Sequence, residues 1–147
     1  LNSIIMKDVR TEIIINASPE RVWSILTDFP RYPEWNPFVR EVKGKFAVGE
    51  KLKVYVKPKN GRGMRFNATL IKINPNKELR WIGHFFIPGI LDGEHIFIIQ
   101  ELGKNKIKFM HSERFTGLLS FLGGLNKLTH SGLSDMNQAL KARCEDL

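Results

Sequence analysis

Cysteine is nearly missing from this chain: Cys144 is the one thiol in 147 residues. No internal disulfide can form, which fits a reducing compartment and makes a cytoplasmic protein the expectation. Acids follow Cys144 at the chain end, a setting that does not favour a thiolate nucleophile. Long apolar runs are missing as well. Nowhere do about 18 apolar residues follow one another, as a membrane-spanning helix needs, and the opening LNSIIMKDVR has no apolar core of signal-peptide length. There is no HExxH, no cysteine cluster and no DxD, so no motif of these kinds asks for a metal, and no cofactor is expected. Repeats, low-complexity tracts and interdomain linkers are lacking too. The length suits one domain, residues 1–147. A chain of this size buries roughly 70% of its unfolded surface and needs no staples.

Acids are scarce in one region. Between Lys43 and Arg65 stand eight Lys/Arg and a single acid, Glu50, supplying most of a formal net charge of +8. A basic face of this kind suits an acidic protein partner, or else is a solvated hairpin edge whose lysines discourage edge pairing. No ladder of aromatics accompanies the charges, so nucleic acid is not the expected partner.

What is there reads mostly as strands. Val9, Thr11, Ile13 and Ile15 alternate along a first strand. Ser18-Pro19-Glu20 then signals a helix start: a capping hydroxyl, proline at the first helical position, and an acid in the first turn. Val22, Ile25, Leu26 and Phe29 give its buried face, and Pro30 stops it. A short segment RYPEWNP, anchored by Tyr32 and Trp35, leads to six strands near 38–43, 51–57, 64–73, 78–86, 94–102 and 106–115. Short turns join them, so the sheet is expected to be antiparallel.

The last thirty residues, Leu118 to Leu147, carry apolar positions at Leu118, Phe121, Leu122, Leu125, Leu128, Leu133, Met136 and Leu140. Steps of three and four place them on one stripe of a helix. All helix, the stretch would be about 45 Å long, with its stripe laid on the sheet. Gly123-Gly124 and Gly132 interrupt the stripe. They are either a break, with the helix starting at Leu125, or a small-residue seam that leaves room for a ligand.

In the last strand Lys106, Lys108 and Arg114 must face water, which turns Ile107, Phe109, His111, Glu113 and Phe115 inward. The strand before it turns His95, Phe97 and Ile99 inward. An inward Glu in apolar surroundings is costly unless paired or neutral. Three readings stand: a filled core with a buried His–Glu pair; a cavity where these groups orient the polar end of an apolar ligand; and a two-histidine, one-carboxylate metal or acid/base site. On the cavity reading the ligand is lined by Trp35, Phe66, Trp81, Phe85, His95, Phe97, Phe109, His111, Glu113, Phe115 and Leu125.

Ile14 to Phe29 (IINASPERVWSILTDF) and Arg31 to Phe38 (RYPEWNPF) resemble the START/Bet v 1-like, or SRPBCC, superfamily. Pro88 to Phe97 (PGILDGEHIF) and Phe109 to Leu119 (FMHSERFTGLL) are similar to its polyketide cyclase/dehydrase-like branch. The resemblance implies an α+β helix-grip fold: a curved antiparallel sheet of about seven strands round a long C-terminal helix, with a cavity between. It also implies members that bind lipids, sterols, polyketides or plant hormones, some cyclases or dehydratases, and some co-chaperones that activate a heat-shock ATPase. The superfamily shares no single catalytic set, so the resemblance assigns no catalytic residue. Binding of a small hydrophobic or amphipathic ligand is the leading expectation. A cyclase or dehydratase, and a protein-binding module using the basic face, are the alternatives.

Overall fold

The computed structural model describes residues 6–87, 89–120 and 123–146. Phe121, Leu122 and Leu147 of the C-terminal stretch lie outside the described residues, as does Pro88. Strand β1 (Met6–Ile15) is followed by helix α1 (Pro19–Leu26), a 3-10 turn (Phe29–Arg31) and a one-turn helix α2 (Tyr32–Trp35). Six strands come next: β2 (Val39–Lys43), β3 (Lys51–Val56), β4 (Met64–Asn74), β5 (Glu78–His84), β6 (Asp92–Gly103) and β7 (Lys106–Thr116). Helix α3 (Leu125–Glu145) closes the chain. The strands form one antiparallel sheet in the order β1-β7-β6-β5-β4-β3-β2, curled as a half-barrel against α3. The helix-grip expectation holds.

Local chemistry explains the joints. Ser18 caps α1, its side chain accepting from the Arg21 N–H at 3.2 Å, with Pro19 at the first helical position. Arg21 in turn reaches the far end of α3 and donates to the carbonyls of Cys144 (2.6 Å) and Asp146 (2.9 Å). Terminal helical carbonyls have no partner within their own helix, so this contact ties α1 to α3. Burial pushes the Cys144 thiol up to about 12, which excludes a thiolate there.

The C-terminal helix is shorter than the apolar stripe allows. It begins at Leu125, because Gly124 at its cap adopts a left-handed conformation (φ 80°) that only glycine takes without strain. The Gly-Gly pair is therefore a break. Gly132 is different. It lies within α3, and a Cβ there would stand 2.4 Å from the Phe38 ring. The seam at Gly132 is real, but it is filled by Phe38 rather than left open.

Candidate functional site

Strand register lays the inward side chains in rows. One row reads Trp81, His95, Glu113, Val9 across β5, β6, β7 and β1; the next reads Leu79, Phe97, His111, Thr11. Residues directly opposite on antiparallel strands are close, and diagonal neighbours two positions on are within reach of long side chains. Register alone thus sets His95 beside Glu113, Thr11 beside His111, and His95 diagonal to His111. Asn137 comes from α3, at four residues after Leu133 and three before Leu140, on the buried stripe.

These five residues form one chain of contacts. The Thr11 hydroxyl donates to the His111 carbonyl at 2.7 Å. The Asn137 amide nitrogen donates to Thr11 Oγ1 at 2.8 Å, and Asn137 Oδ1 stands 2.8 Å from His111 Nδ1. His111 Nε2 and His95 Nε2 are 2.5 Å apart, and His95 Nδ1 is 2.7 Å from Glu113 Oε2. All but Thr11 are buried; Glu113 is 5% exposed. Burial first, then the charge of neighbouring His95, holds the His111 imidazole well below its ordinary pKa, so His111 is neutral.

The Glu113 contact has one peculiarity. Although Oε2 lies at ion-pair distance from His95, its direction does not make a hydrogen bond, and this buried oxygen has no hydrogen-bond partner among the described residues. Such an atom is destabilising by roughly 1–3 kcal/mol unless something meets it. Its carboxyl lies over Gly93, where a Cβ would stand within 2.4 Å of Oε1. Gly93 faces Gly83 across the β5–β6 ladder, and the Phe66 ring occupies the space a Gly83 side chain would take.

Beside this carboxyl is a cavity of about 270 Å3. Its walls are Phe66, Phe85, Leu91 and Phe115 from the sheet side, Leu125, Leu128 and Thr129 from α3, and Phe38 and Val56 between. Pro58, Arg62 and Met64 come from the β3–β4 turn and its flank, and His95 and Glu113 are the polar groups at its inner end. Met64 and Leu128, both 42% exposed, stand at the rim. A larger trough of about 800 Å3 includes outward residues of β1, β7 and β5. Among its charges Arg114 pairs with Asp8 at 3.0 Å and Arg80 with Glu94 at 3.1 Å. An apolar enclosure with a few convergent polar groups is the better candidate for a ligand site.

Six of the eleven residues expected to line a ligand do line this cavity: Phe66, Phe85, His95, Glu113, Phe115 and Leu125. Trp81, Phe97, Phe109 and His111 do not. They are 0–1% exposed and packed on one another, Trp81 against Phe29 and Phe97. Trp35 packs its edge on Tyr32, away from the cavity. Asn137 and Thr11 were missed, although each sits on the buried face of its own periodic element. Among the described residues no three His, Cys, Asp or Glu side chains are grouped as a metal ion needs. The histidine nitrogens are instead turned toward each other and toward Asn137 and Glu113.

The basic stretch spreads over the outward face of β3 and its turns, with Lys51, Lys53 and Lys57 exposed. Glu41 pairs with Lys43 at 2.7 Å and with Arg65 at 3.8 Å, and Arg65 also lies 4.5 Å over the Tyr55 ring. No described helix is long and apolar enough to cross a membrane.

Known structures share the whole architecture. A norcoclaurine synthase from Thalictrum flavum, a point mutant bound to a transition-state analogue, superposes with a TM-score of 0.75 at 14% identity, covering 98% of this chain and 97% of that one. An aromatase/cyclase from a Streptomyces gives 0.78 at 13% identity, with 96% and 94% covered. A START superfamily protein from Mycobacterium smegmatis gives 0.76 at 22% identity, with 94% and 97% covered. At these identities the likeness is one of fold. No curated protein matches the chain in sequence. The profile of one family, described as polyketide cyclase / dehydrase and lipid transport, matches residues 6–145. Nearly the whole chain is thus accounted for, and it belongs to that family.

Proposed function

We propose that the protein binds one small, largely apolar molecule in the cavity between the Gly83–Gly93 end of the sheet and the start of α3, with the ligand's polar end at Glu113. The observation that carries this reading is Glu113, whose buried Oε2 has no hydrogen-bond partner among the described residues, in the wall of an otherwise apolar enclosure. The volume sets the scale. An empty apolar cavity of roughly 150 Å3 takes benzene, so about 270 Å3 suits a one- or two-ring body. Affinity would come from burial at about 25 cal/mol per Å2.

Native mass spectrometry of the protein from its own host, followed by organic extraction, tests this. A copurifying small molecule is expected, and Leu125→Trp, which fills the cavity, should remove it. A clean apo mass, with no shift from a panel of small aromatics and lipids, would overturn the reading.

A second reading, in which the cavity turns its ligand over, draws support from one observation: His95 Nδ1 stands 2.7 Å from Glu113 Oε2, close enough to trade a proton. A cyclisation or dehydration of a polyketide-like molecule would use such a pair. A bell-shaped rate profile that survives in Glu113→Gln would remove this alternative. Of the eight basic residues between Lys43 and Arg65, Arg62 is the one that lines the cavity, and Glu41 pairs with Lys43 and Arg65.

A further inference from the structure

Hydrogen-bond direction can be followed through the buried network from its backbone end. The Thr11 hydroxyl has one hydrogen, and it is given to the His111 carbonyl. Thr11 Oγ1 can then only accept from Asn137, which fixes the amide with its nitrogen toward Thr11 and Oδ1 toward His111. An amide oxygen accepts, so His111 Nδ1 carries a hydrogen. His111 is neutral, so its Nε2 is bare. His95 Nε2, 2.5 Å away, must then be the donor. One nitrogen of His95 remains, Nδ1, facing Glu113 Oε2 at 2.7 Å.

Two bare lone pairs do not sit at that distance. The pair therefore holds one proton and stands as an ion pair whose direction gives Oε2 no hydrogen bond. The pair is neutral as a unit. As an ion pair it leaves the proton on the imidazole, and the carboxylate has only lone pairs to show the cavity.

We infer that the cavity selects a neutral ligand whose polar end is a hydrogen-bond donor, a phenol or alcohol hydroxyl on a one- or two-ring apolar body, given to Glu113. This rests on the binding reading above. An ether or ketone brings a second acceptor to a carboxyl that has no hydrogen to offer it. A carboxylate brings a negative charge and further acceptors to the Glu113 lone pairs, and an ammonium adds a positive charge to a wall that already holds Arg62. A hydroxyl gives the Glu113 carboxylate a donor without changing the charge of the site.

The probes are naphthalene, 2-naphthol and 2-methoxynaphthalene, which share a ring body of suitable size, titrated by calorimetry or intrinsic fluorescence. A hydrogen bond to a charged or polarised acceptor predicts that 2-naphthol binds at least about tenfold more tightly than its methyl ether. In Glu113→Gln this ratio should fall below about threefold while naphthalene binding stays within about threefold of wild type. Equal binding of naphthol and ether, or a preference that survives Glu113→Gln, overturns the inference but leaves the binding reading standing. Binding of none of the three overturns both. If Glu113→Gln does not fold, the wild-type ratio still decides. Gly93→Ala, whose added methyl crowds the Glu113 carboxyl, then takes the place of the variant.

Discussion

The two ends of the groove between sheet and α3 are built from the same strands yet behave differently. At one end Leu79, Phe97, Ile107 and Phe109 meet Leu133, Met136 and Leu140 of α3, all fully buried. At the other, the row that should continue this packing contains Gly83 and Gly93 side by side, and the rings of Phe66 and Phe85 lean over them around a cavity. Between the two ends lies the polar chain from Thr11 to Glu113. The comparison teaches that the fold supplies the groove, and side-chain size, row by row, decides how much of it remains open. The two glycines let Phe66, Phe85 and Glu113 lean in over the sheet, and the cavity lies beyond those side chains.

The contrast can be broken most forcefully at the closed end. Phe97→Ala should destabilise by about 3–5 kcal/mol, measured by urea unfolding. Phe85→Ala, at the open end and only partly buried, should lose less than half as much. Equal losses would mean that the open end is as tightly packed as the closed one.

The boundary comes next. Asn137→Leu removes the group that receives the His111 Nδ1 hydrogen and should lose roughly 1–3 kcal/mol. Nitrogen NMR of the imidazoles should show His111 as the Nδ1–H form in the wild type and a mixed or altered form in the variant. An unchanged His111 signal would break the donor order argued above.

A change of pH sharpens the same boundary. His111 is held neutral in the folded state, with its pKa below the ordinary imidazole value. The unfolded chain therefore binds a proton that the native chain does not, once pH falls below about 6.5. Stability should be flat above that value and decline below it, by up to about 1.4 kcal/mol per pH unit from this one proton. In His111→Asn that slope should be reduced. A wild-type curve that rises on acidification between pH 6.5 and 5 would have the wrong sign.

The smallest effect is expected at the rim. Met64→Ser and Leu128→Ser alter exposed side chains and should stay within about 0.5 kcal/mol of wild type in thermal unfolding. Their effect should appear in ligand affinity instead.

Much of the fold was legible in the sequence because strand and helix periods are local. Alternation along β6 and β7 turned His95, His111 and Glu113 inward before any register was known, and Ser18-Pro19 marked the start of α1. Alternation gives the face of a residue but not its height in the groove or what covers it. Trp81, Phe97 and Phe109 thus looked like cavity walls, whereas Phe29 and the α3 stripe pack over that end of the sheet. Trp35, read as a lining residue, packs on Tyr32 instead. The length of α3 was ambiguous because apolar spacing continues across Gly123-Gly124, and only the left-handed backbone at Gly124 ends the helix there. Thr11 and Asn137 carried a readable signal, being polar residues on apolar faces. Their joining through His111 depends on β1 pairing with β7, a contact between the two ends of the chain.

Methyl NMR of the leucines during a naphthalene titration tests the central claim most directly. The account predicts shifts at Leu91, Leu125 and Leu128, which line the cavity, and none at Leu79, Leu133 and Leu140, which fill the closed end. Shifts spread evenly over both sets, or confined to the closed end, would contradict the division on which the account rests.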